Sequence, residues 1–314
     1  MNEFIKKYQK VEVKEYPNKV KPEPLVSVCI MTYNHVNYIK DCLDGILMQI
    51  TNFDFEILLG EDNSYDGTRE ICVEYAQKYP DKIRLFLHHR ENNIKINGSP
   101  TGRFNFLYNL YSAGGKYIAL CEGDDYWTDP YKLQKQVNFL EGNEEYGMCA
   151  HDVKTIYEDD WKAEKTNRFN KPIDNATFVD LIDNHFIPTN SLIFRNHLIK
   201  KWPEWLSSPN IISGDIPLEL MLAFHGKLKY FFDEMAVKRI NEGGVTADKS
   251  RKLKYKHFKF EMYCNLNHYT KKKYKKILRT KANHLFPRVL YYAIKNKHFK
   301  LAFKHFKLYT KTML

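Results

Sequence analysis

Four times between residues 26 and 121, a short β-branched run gives way to a polar turn and then to a helical pattern. This alternation constrains the fold more than any other feature of the chain. Val26-Ser27-Val28-Cys29-Ile30-Met31, just after Pro24, predicts a buried strand, and residues 36–49 carry Ile39, Leu43, Ile46 and Leu47 at helical spacing. Residues 55–59 predict a second strand, followed by the turn Glu61-Asp62-Asn63-Ser64-Tyr65-Asp66-Gly67-Thr68 and a helix bearing Ile71, Val73, Tyr75 and Ala76. A third strand is expected at 83–87, a helix at 103–112, and a fourth strand at 117–121 that runs into Glu122-Gly123-Asp124-Asp125. The pattern predicts an α/β fold: a mostly parallel sheet with helices on both faces. In such sheets ligands bind beyond the carboxyl ends of the strands. The polar clusters collect there: Thr32-Tyr33-Asn34, Glu61-Asp62-Asn63 and Glu122-Gly123-Asp124-Asp125.

The pattern is mixed after residue 130. A helix is expected at 130–140, strands at 147–152 and 187–194, a helix at 214–225 and a short strand near Tyr230. Residues 1–22 read as a polar, Lys-rich arm, and residues from 249 onward as helices with a break near Pro287. With 43% hydrophobic and 28% charged residues the chain can build a sizeable core. No apolar run approaches the roughly 20 residues that span a bilayer. The first residues lack the apolar stretch of a signal peptide, so the expected location is the cytoplasm. Six scattered cysteines without a CxxC pair read as buried thiols rather than a zinc site.

Charge is distributed unevenly. Residues 249–314 hold 20 Lys+Arg against one acid, Glu261, whereas residues 1–248 hold 29 bases and 37 acids. On a helical wheel Lys297, Lys300, Lys304, Lys307 and Lys311 form one stripe beside an apolar arc of Phe299, Ala302, Phe303, Phe306 and Tyr309. Such a helix either lies on an anionic membrane or packs its phenylalanines on the body. No nucleic-acid module is visible, so a nucleic-acid partner is not expected.

The carboxylates at the end of the fourth strand, separated by a glycine, lie close together. They suit a hard divalent cation, Mn²⁺ or Mg²⁺, that shares its shell with phosphate oxygens. An acidic turn without a ligand is the plain alternative. Three motifs in order weigh against it: 27–34, 61–68 and Gly114-Gly115-Lys116-Tyr117-Ile118-Ala119-Leu120-Cys121-Glu122-Gly123-Asp124-Asp125. Together they resemble the nucleotide-binding half of glycosyltransferase family 2, inverting enzymes of the GT-A fold. The resemblance is close over 24–140 and looser over 141–247. Asp124-Asp125-Tyr126-Trp127-Thr128-Asp129-Pro130 with Lys132-Leu133 is similar to a branch that builds bacterial surface polysaccharide, capsule included.

The resemblance implies a transfer from a nucleotide-diphosphate sugar, a UDP-sugar favoured, to a hydroxyl of a saccharide or lipid-linked saccharide. It divides the chain into an arm (1–22), a nucleotide-sugar-binding half (23–125), an acceptor-binding half (126–247) and a basic helical tail (248–314) that could hold the enzyme at the inner face of a membrane. Thr32, Tyr33 and Asn34 match the cradle for the base, where an aromatic ring can stack. Asp62 matches the carboxylate that accepts from the base, and Asp66-Gly67-Thr68 a structural turn. Glu122 and Asp124 match the DxD motif, with Glu in place of the usual Asp. Asp124 is the principal metal ligand and Asp125 either a second ligand or a turn residue. Arg103 lies where a basic residue faces the diphosphate, or it is a solvated helix-start arginine. The base of a single displacement is expected at a helix start beyond the DxD. Asp215 in Ser213-Gly214-Asp215 fits, with Asp152, Asp129 and Glu219 as weaker rivals. Lys238-Arg239-Ile240-Asn241-Glu242-Gly243-Gly244-Val245-Thr246 resembles a glycine-bearing segment in which Asn241 replaces a His, leaving the third metal ligand open. Two other readings remain: a nucleotidyltransferase, although no glycine-rich phosphate loop follows the first strand, and a non-catalytic module derived from a transferase.

Overall fold

The computed structural model describes residues 1–96, 98–157, 171–199, 203–208, 210–240 and 251–313. The arm expected at the N-terminus is instead folded onto the body. Helix α1 (Asn2–Tyr8) buries Phe4, whose ring stacks on Phe104 at 5.1 Å. The Asn92 side chain then grips the following segment, accepting from the Lys10 and Val11 amides and donating to the Val11 carbonyl. Strand β1 (Lys14–Glu15) adds to the sheet edge. A composition rich in lysine hid the two apolar anchors, Phe4 and Val13, which are both buried.

The alternation yields β2 (Val26–Thr32), α2 (Ile39–Leu47), β3 (Phe55–Glu61), α3 (Thr68–Lys78) and β4 (Ile83–Leu87). A small hairpin of β5 (Lys95–Ile96) and β6 (Ser99–Pro100) precedes α4 (Arg103–Ser112) and β7 (Tyr117–Glu122). Strands β4, β3, β2 and β7 lie side by side and parallel. Side chains alternate across the sheet. Val26, Val28 and Ile30 pack with Ile39, Leu43 and Ile46 of α2 on one face. Cys29, Leu58 and Leu120 pack with Phe104 and Leu107 of α4 on the other. All six cysteines are free and buried, as read from their apolar surroundings.

Beyond β7 come β8 (Tyr126–Trp127), α5 (Lys132–Gly142), β9 (Tyr146–Tyr157), β10 (Asn175–Ala176), α6 (Phe178–Asp183), β11 (Ile193–Arg195), α7 (Asp215–His225) and β12 (Lys227–Ile240). The strand expected at 187–194 is only its last part. Residues 189–191 form a tight turn held by the Asn190 amide on the Val237 carbonyl. Strand β11 runs against both β7 and β9, so the sheet is mixed, with a parallel half and a second parallel pair, β9 with β12. The short strand expected near Tyr230 is a strand of 14 residues. Its far end carries Lys238 and Arg239 back to the strand ends that bear the acidic cluster. Among the described residues the main sheet has ten strands, in the order β1-β4-β3-β2-β7-β11-β9-β12-β10, with β8 paired to β12.

The C-terminal helices are α8 (Arg251–Tyr269), α9 (Lys275–Lys295) and α10 (Phe299–Met313). The break expected at Pro287 is absent, because α9 runs through it. The chain turns instead at 270–274 and 296–298. Phe258, Met262 and Leu266 of α8 enter the same core as α4 and α7, and Tyr274 stacks on Phe178 at 4.2 Å. No helix of the described residues is long and apolar enough to cross a membrane.

Glu261, buried in α8, is the clamp of this region. It meets Lys304 at 3.0 Å and His305 at 3.1 Å from α10, together with the Ser208 hydroxyl and the Asn210 amide. Burial would raise its carboxyl, but these partners, His305 first, bring it down to about 2. A carboxyl lowered in the folded state stabilises fully above its unfolded value of 4.5 and loses that contribution as pH falls toward 2. Glu261→Gln therefore lowers the thermal midpoint at pH 7, and the gap from wild type closes as pH is lowered from about 5 to about 2. Thermal unfolding followed by circular dichroism reads this gap; one that stays constant would show that Glu261 is not the clamp.

Candidate active site

Strands β2 and β3 end side by side, and the Asp62 amide donates to the Thr32 carbonyl at 3.0 Å. Thr32 is buried, with its hydroxyl 3.2 Å from His35 Nδ1. Asn34 adopts a left-handed conformation (φ 54°), which asparagine tolerates better than most residues. That turn points its amide at the Ser64 hydroxyl, 2.9 Å away, and its side-chain oxygen at the Tyr65 amide. Asp66 and Thr68 brace the same loop: Asp66 accepts from the Val36 and Thr68 amides, and the Thr68 hydroxyl accepts from the His35 amide. The structural role expected of Asp66-Gly67-Thr68 agrees with these contacts.

The Arg90 guanidinium lies over the half-exposed Tyr33 ring, 3.7 Å from its centroid, and donates to Asp62 Oδ2 at 2.7 Å. Asn93 donates to the same oxygen at 2.8 Å. The other oxygen, Oδ1, is buried without a partner among the described residues. Burial pushes the Asp62 carboxyl up to about 6 even though Asn93 and Arg90 pull it down. A buried, half-satisfied carboxylate of this kind is a waiting acceptor.

Glu122, Asp124 and Asp125 each bring one carboxylate oxygen within 4.8 Å of the others. Gly123 makes this possible: a Cβ there would come within 2.7 Å of the Thr32 hydroxyl and 2.8 Å of His35 Nδ1. Asp125 is buried; its Oδ1 accepts from the Arg239 amide at 2.8 Å, and its Oδ2 has no partner among the described residues. Burial, with Asp124 and Glu122 nearby, holds its carboxyl well above the usual range against the pull of Lys238. Glu122, whose side chain is 43% exposed, is raised above its usual range by partial desolvation and by Asp124 and Asp215, again opposed by Lys238.

The Lys238 ammonium lies 4.0 Å from Glu122 Oε2. Burial would lower its pKa, but Glu122, Asp125, Asp215 and Asp124 together hold it above the ordinary lysine value. Arg239 donates to the Asp124 carbonyl at 3.1 Å and pairs with Asp41. Three carboxylates of hard oxygen, one with a buried free lone pair, suit Mg²⁺ or Mn²⁺. Asn241, weighed as a further ligand, lies outside the described residues, as does the rest of that segment through Thr246.

Asp215 opens α7, where the helix dipole favours a negative charge. It accepts from the hydroxyls of Ser213 and of Thr189, the latter at 3.4 Å. Burial raises its carboxyl, but His185, Ser213, the Ile216 amide and Lys238 hold it below the usual range, so it is ionised at neutral pH. Asp215 is near enough to act on the charges of both Glu122 and Lys238. The acidic cluster and the helix start thus lie within electrostatic reach of each other. One turn along α7, Glu219 pairs with His185 at 2.8 Å. Burial would depress this imidazole, yet Glu219 and Asp215 hold it up to about 9.

The rivals to Asp215 have structural work. Asp129 accepts from the Tyr131 amide before α5, Asp152 accepts from the Tyr230 hydroxyl, and Glu219 holds His185. Arg103 is placed differently from both readings of the sequence. It is buried rather than solvated, and its guanidinium donates to the carbonyls of Leu206 at 2.6 Å and Ile211 at 3.0 Å. It braces the loop that leads to Asp215 instead of presenting a free cation. Sequence reasoning missed Arg90, Asn93 and His185, which belong to no motif, and named Lys238 only as the first residue of the glycine-bearing segment. Only folding brings each beside its carboxylate.

Comparison with known proteins gives the family and the fold. Residues 27–202 match the family model described as Glycosyl transferase family 2. The uncharacterized protein Rv1520 of Mycobacterium tuberculosis is 36% identical over 221 residues, 70% of this chain and 60% of that protein. Among solved structures, Staphylococcus aureus TarS 1–349 in complex with UDP-GlcNAc superposes with a TM-score of 0.54 at 17% identity, over 88% of this chain and 72% of that one. The mannosyltransferase PcManGT from Pyrobaculum calidifontis, in complex with GDP-Man and Mn²⁺, superposes with a TM-score of 0.54 at 15% identity, over 92% of this chain and 80% of that one. Likeness at these identities establishes the shared fold.

Proposed function

Since the chain belongs to glycosyl transferase family 2, we propose that it transfers a sugar from a nucleotide-diphosphate donor, a UDP-sugar by preference, to an acceptor hydroxyl with inversion at the anomeric carbon. The observation that carries this reading is the carboxylate cluster at the end of β7: Glu122, Asp124 and Asp125 bring their oxygens within 4.8 Å of one another, and Asp215 at a helix start lies within electrostatic reach of Glu122. Tyr33 and Arg90 offer flat surfaces to a base, and the free oxygen of Asp62 suits the N3–H of uracil. Glu122, Asp124 and Asp125 would hold Mn²⁺ or Mg²⁺. A divalent cation there neutralises charge on a departing diphosphate. Lys238 adds a second positive charge on the same side. Asp215, ionised and within electrostatic reach of the cluster, takes the proton of the attacking hydroxyl. The resemblance of residues 124–133 to a surface-polysaccharide branch supports a saccharide or lipid-linked saccharide as acceptor. PcManGT, whose structure is in complex with GDP-Man and Mn²⁺, supports a metal-assisted site and leaves the choice of base to experiment.

The match spans 60% of the length of Rv1520, so activity, substrates and partners are argued from this chain's own pocket. The test is a panel of nucleotide sugars with Mn²⁺, reading free nucleoside diphosphate with wild type and Asp124→Ala. Release from at least one donor by wild type and not by the variant supports the reading. Pyrophosphate release from a nucleoside triphosphate would point to nucleotidyl transfer, and binding without turnover to a non-catalytic module.

Asp62 supplies a further check. Asp62→Ala weakens UDP binding by about ten- to a hundred-fold, the range for a lost hydrogen bond to a charged group. In wild type the affinity falls as pH is lowered through about 6, where the carboxylate takes up its proton. Asp62→Asn flattens that profile. Calorimetric titration across pH 5 to 8 measures both, and a profile unchanged in Asp62→Asn would remove Asp62 from the base site.

A further inference from the structure

Helix α10 has three faces rather than two. Ala302, His305, Thr312 and Met313 point into the body and are buried. Two phenylalanines of the apolar arc do not pack there, Phe299 at 63% exposed and Phe303 at 69%, while Phe306, 51% exposed, lies against Phe286 of α9 with 6.4 Å between ring centres. They form a ridge on a second face. Lys300, Lys307 and Lys311 are exposed along the third face. Residues 249–314 contain a single acid, and Glu261 is buried and already shared among Lys304, His305 and Asn210. The segment therefore has no acid of its own to neutralise that lysine face.

An exposed apolar ridge of this kind marks an interaction surface. A ridge flanked by unneutralised lysines fits a surface that is apolar within and anionic at its face. We propose that α10 docks on an anionic lipid bilayer, with Phe299, Phe303 and Phe306 entering the headgroup boundary and Lys300, Lys307 and Lys311 meeting the phosphates. Packing on the body accounts for one side of Phe306 alone; Phe299 and Phe303 are left bare.

The docking face has a short connection to the pocket. On its inner side α10 sends Lys304 to Ser208 and Glu261, and Glu261 holds Asn210. Arg103 ties the same loop, through the Leu206 and Ile211 carbonyls, to the approach of Asp215. The helix that meets the bilayer thus braces the loop leading to the proposed base, an arrangement suited to a lipid-linked acceptor. That last step rests on the proposed transfer; bilayer docking does not, and vesicle binding and nucleotide binding fail independently.

The experiment is co-sedimentation of the full chain with vesicles of phosphatidylcholine alone or with phosphatidylglycerol, beside sedimentation velocity without lipid. The expected result is pelleting that needs phosphatidylglycerol and weakens as salt rises. A variant with F299S and F303S, and a second with K300Q, K307Q and K311Q, each lose about ten-fold or more in apparent affinity. Both keep the wild-type melting temperature and UDP binding, because the altered side chains are exposed. Equal pelleting of wild type and both variants, or no pelleting of wild type, overturns the proposal. A wild-type dimer dissolved by the phenylalanine variant assigns the ridge to a second copy and overturns it as well, as does binding to a polyanion such as RNA with none to vesicles.

Discussion

Asp215→Asn lowers the rate of sugar transfer by about a thousand-fold, within the range for loss of a general base, and leaves UDP affinity in Mn²⁺ within about two-fold of wild type. The asymmetry follows from where the side chain sits. Asp215 begins α7 and accepts from Ser213 and Thr189, whereas the proposed base cradle of Thr32, Tyr33 and Asp62 lies at the ends of β2 and β3. Asparagine keeps the shape and one acceptor but cannot take the proton. It also removes one of the two carboxylates that hold His185 up to about 9, so the imidazole drops toward the range where it titrates. Glu219→Gln is the control. It strips the His185 partner at 2.8 Å without touching Asp215, and its effect falls mainly on stability. Single-turnover kinetics beside calorimetry separates the two. A variant Asp215→Asn that kept a tenth of the wild-type rate would move the base elsewhere.

Asp124→Ala abolishes the dependence of nucleotide binding on Mn²⁺, with metal affinity down on the order of a hundred-fold because few hard oxygens hold the ion. Lys238→Gln acts in the opposite direction on the metal. Its ammonium stands 4.0 Å from Glu122 and is held charged by four carboxylates, so a divalent cation binds against that charge. Removing the charge raises Mn²⁺ affinity several-fold in the absence of nucleotide, by the Coulomb interaction of like charges at close range. The same change weakens UDP, whose diphosphate loses a positive neighbour. Electron paramagnetic resonance of free Mn²⁺ reads the metal directly, without turnover. If Lys238→Gln and wild type bound Mn²⁺ alike, the lysine would not share the cation's space.

Much of this architecture is legible in the order of residues along the chain. The parallel half of the sheet, the helices on its two faces and the three polar strand ends come from short runs of residues. In such runs β-branching, helical spacing and turn residues act locally. Asp124 and Asp62 are readable because each sits at the end of a strand whose position the pattern dictates. Lysine content misleads at residues 1–22, where Phe4 and Val13 decide the packing. Pro287 misleads in α9, since a proline in a helix removes one hydrogen bond, and the packing of Leu285 and Val289 on both sides outweighs it.

What the sequence determined by itself is therefore the α/β alternation, the acidic turn after β7 and the charge imbalance of the last 66 residues, all properties of neighbours along the chain. The tertiary structure alone decided which cations meet those acids and which face of α10 is left bare. Lys238 reaches Glu122 across 116 positions and Arg90 reaches Asp62 across 28, by way of the length of β12 and the turn after β4. Such pairings depend on strand order and register, and no local pattern encodes them, because the attraction between two charges exists only once the backbone has brought them within a few ångströms.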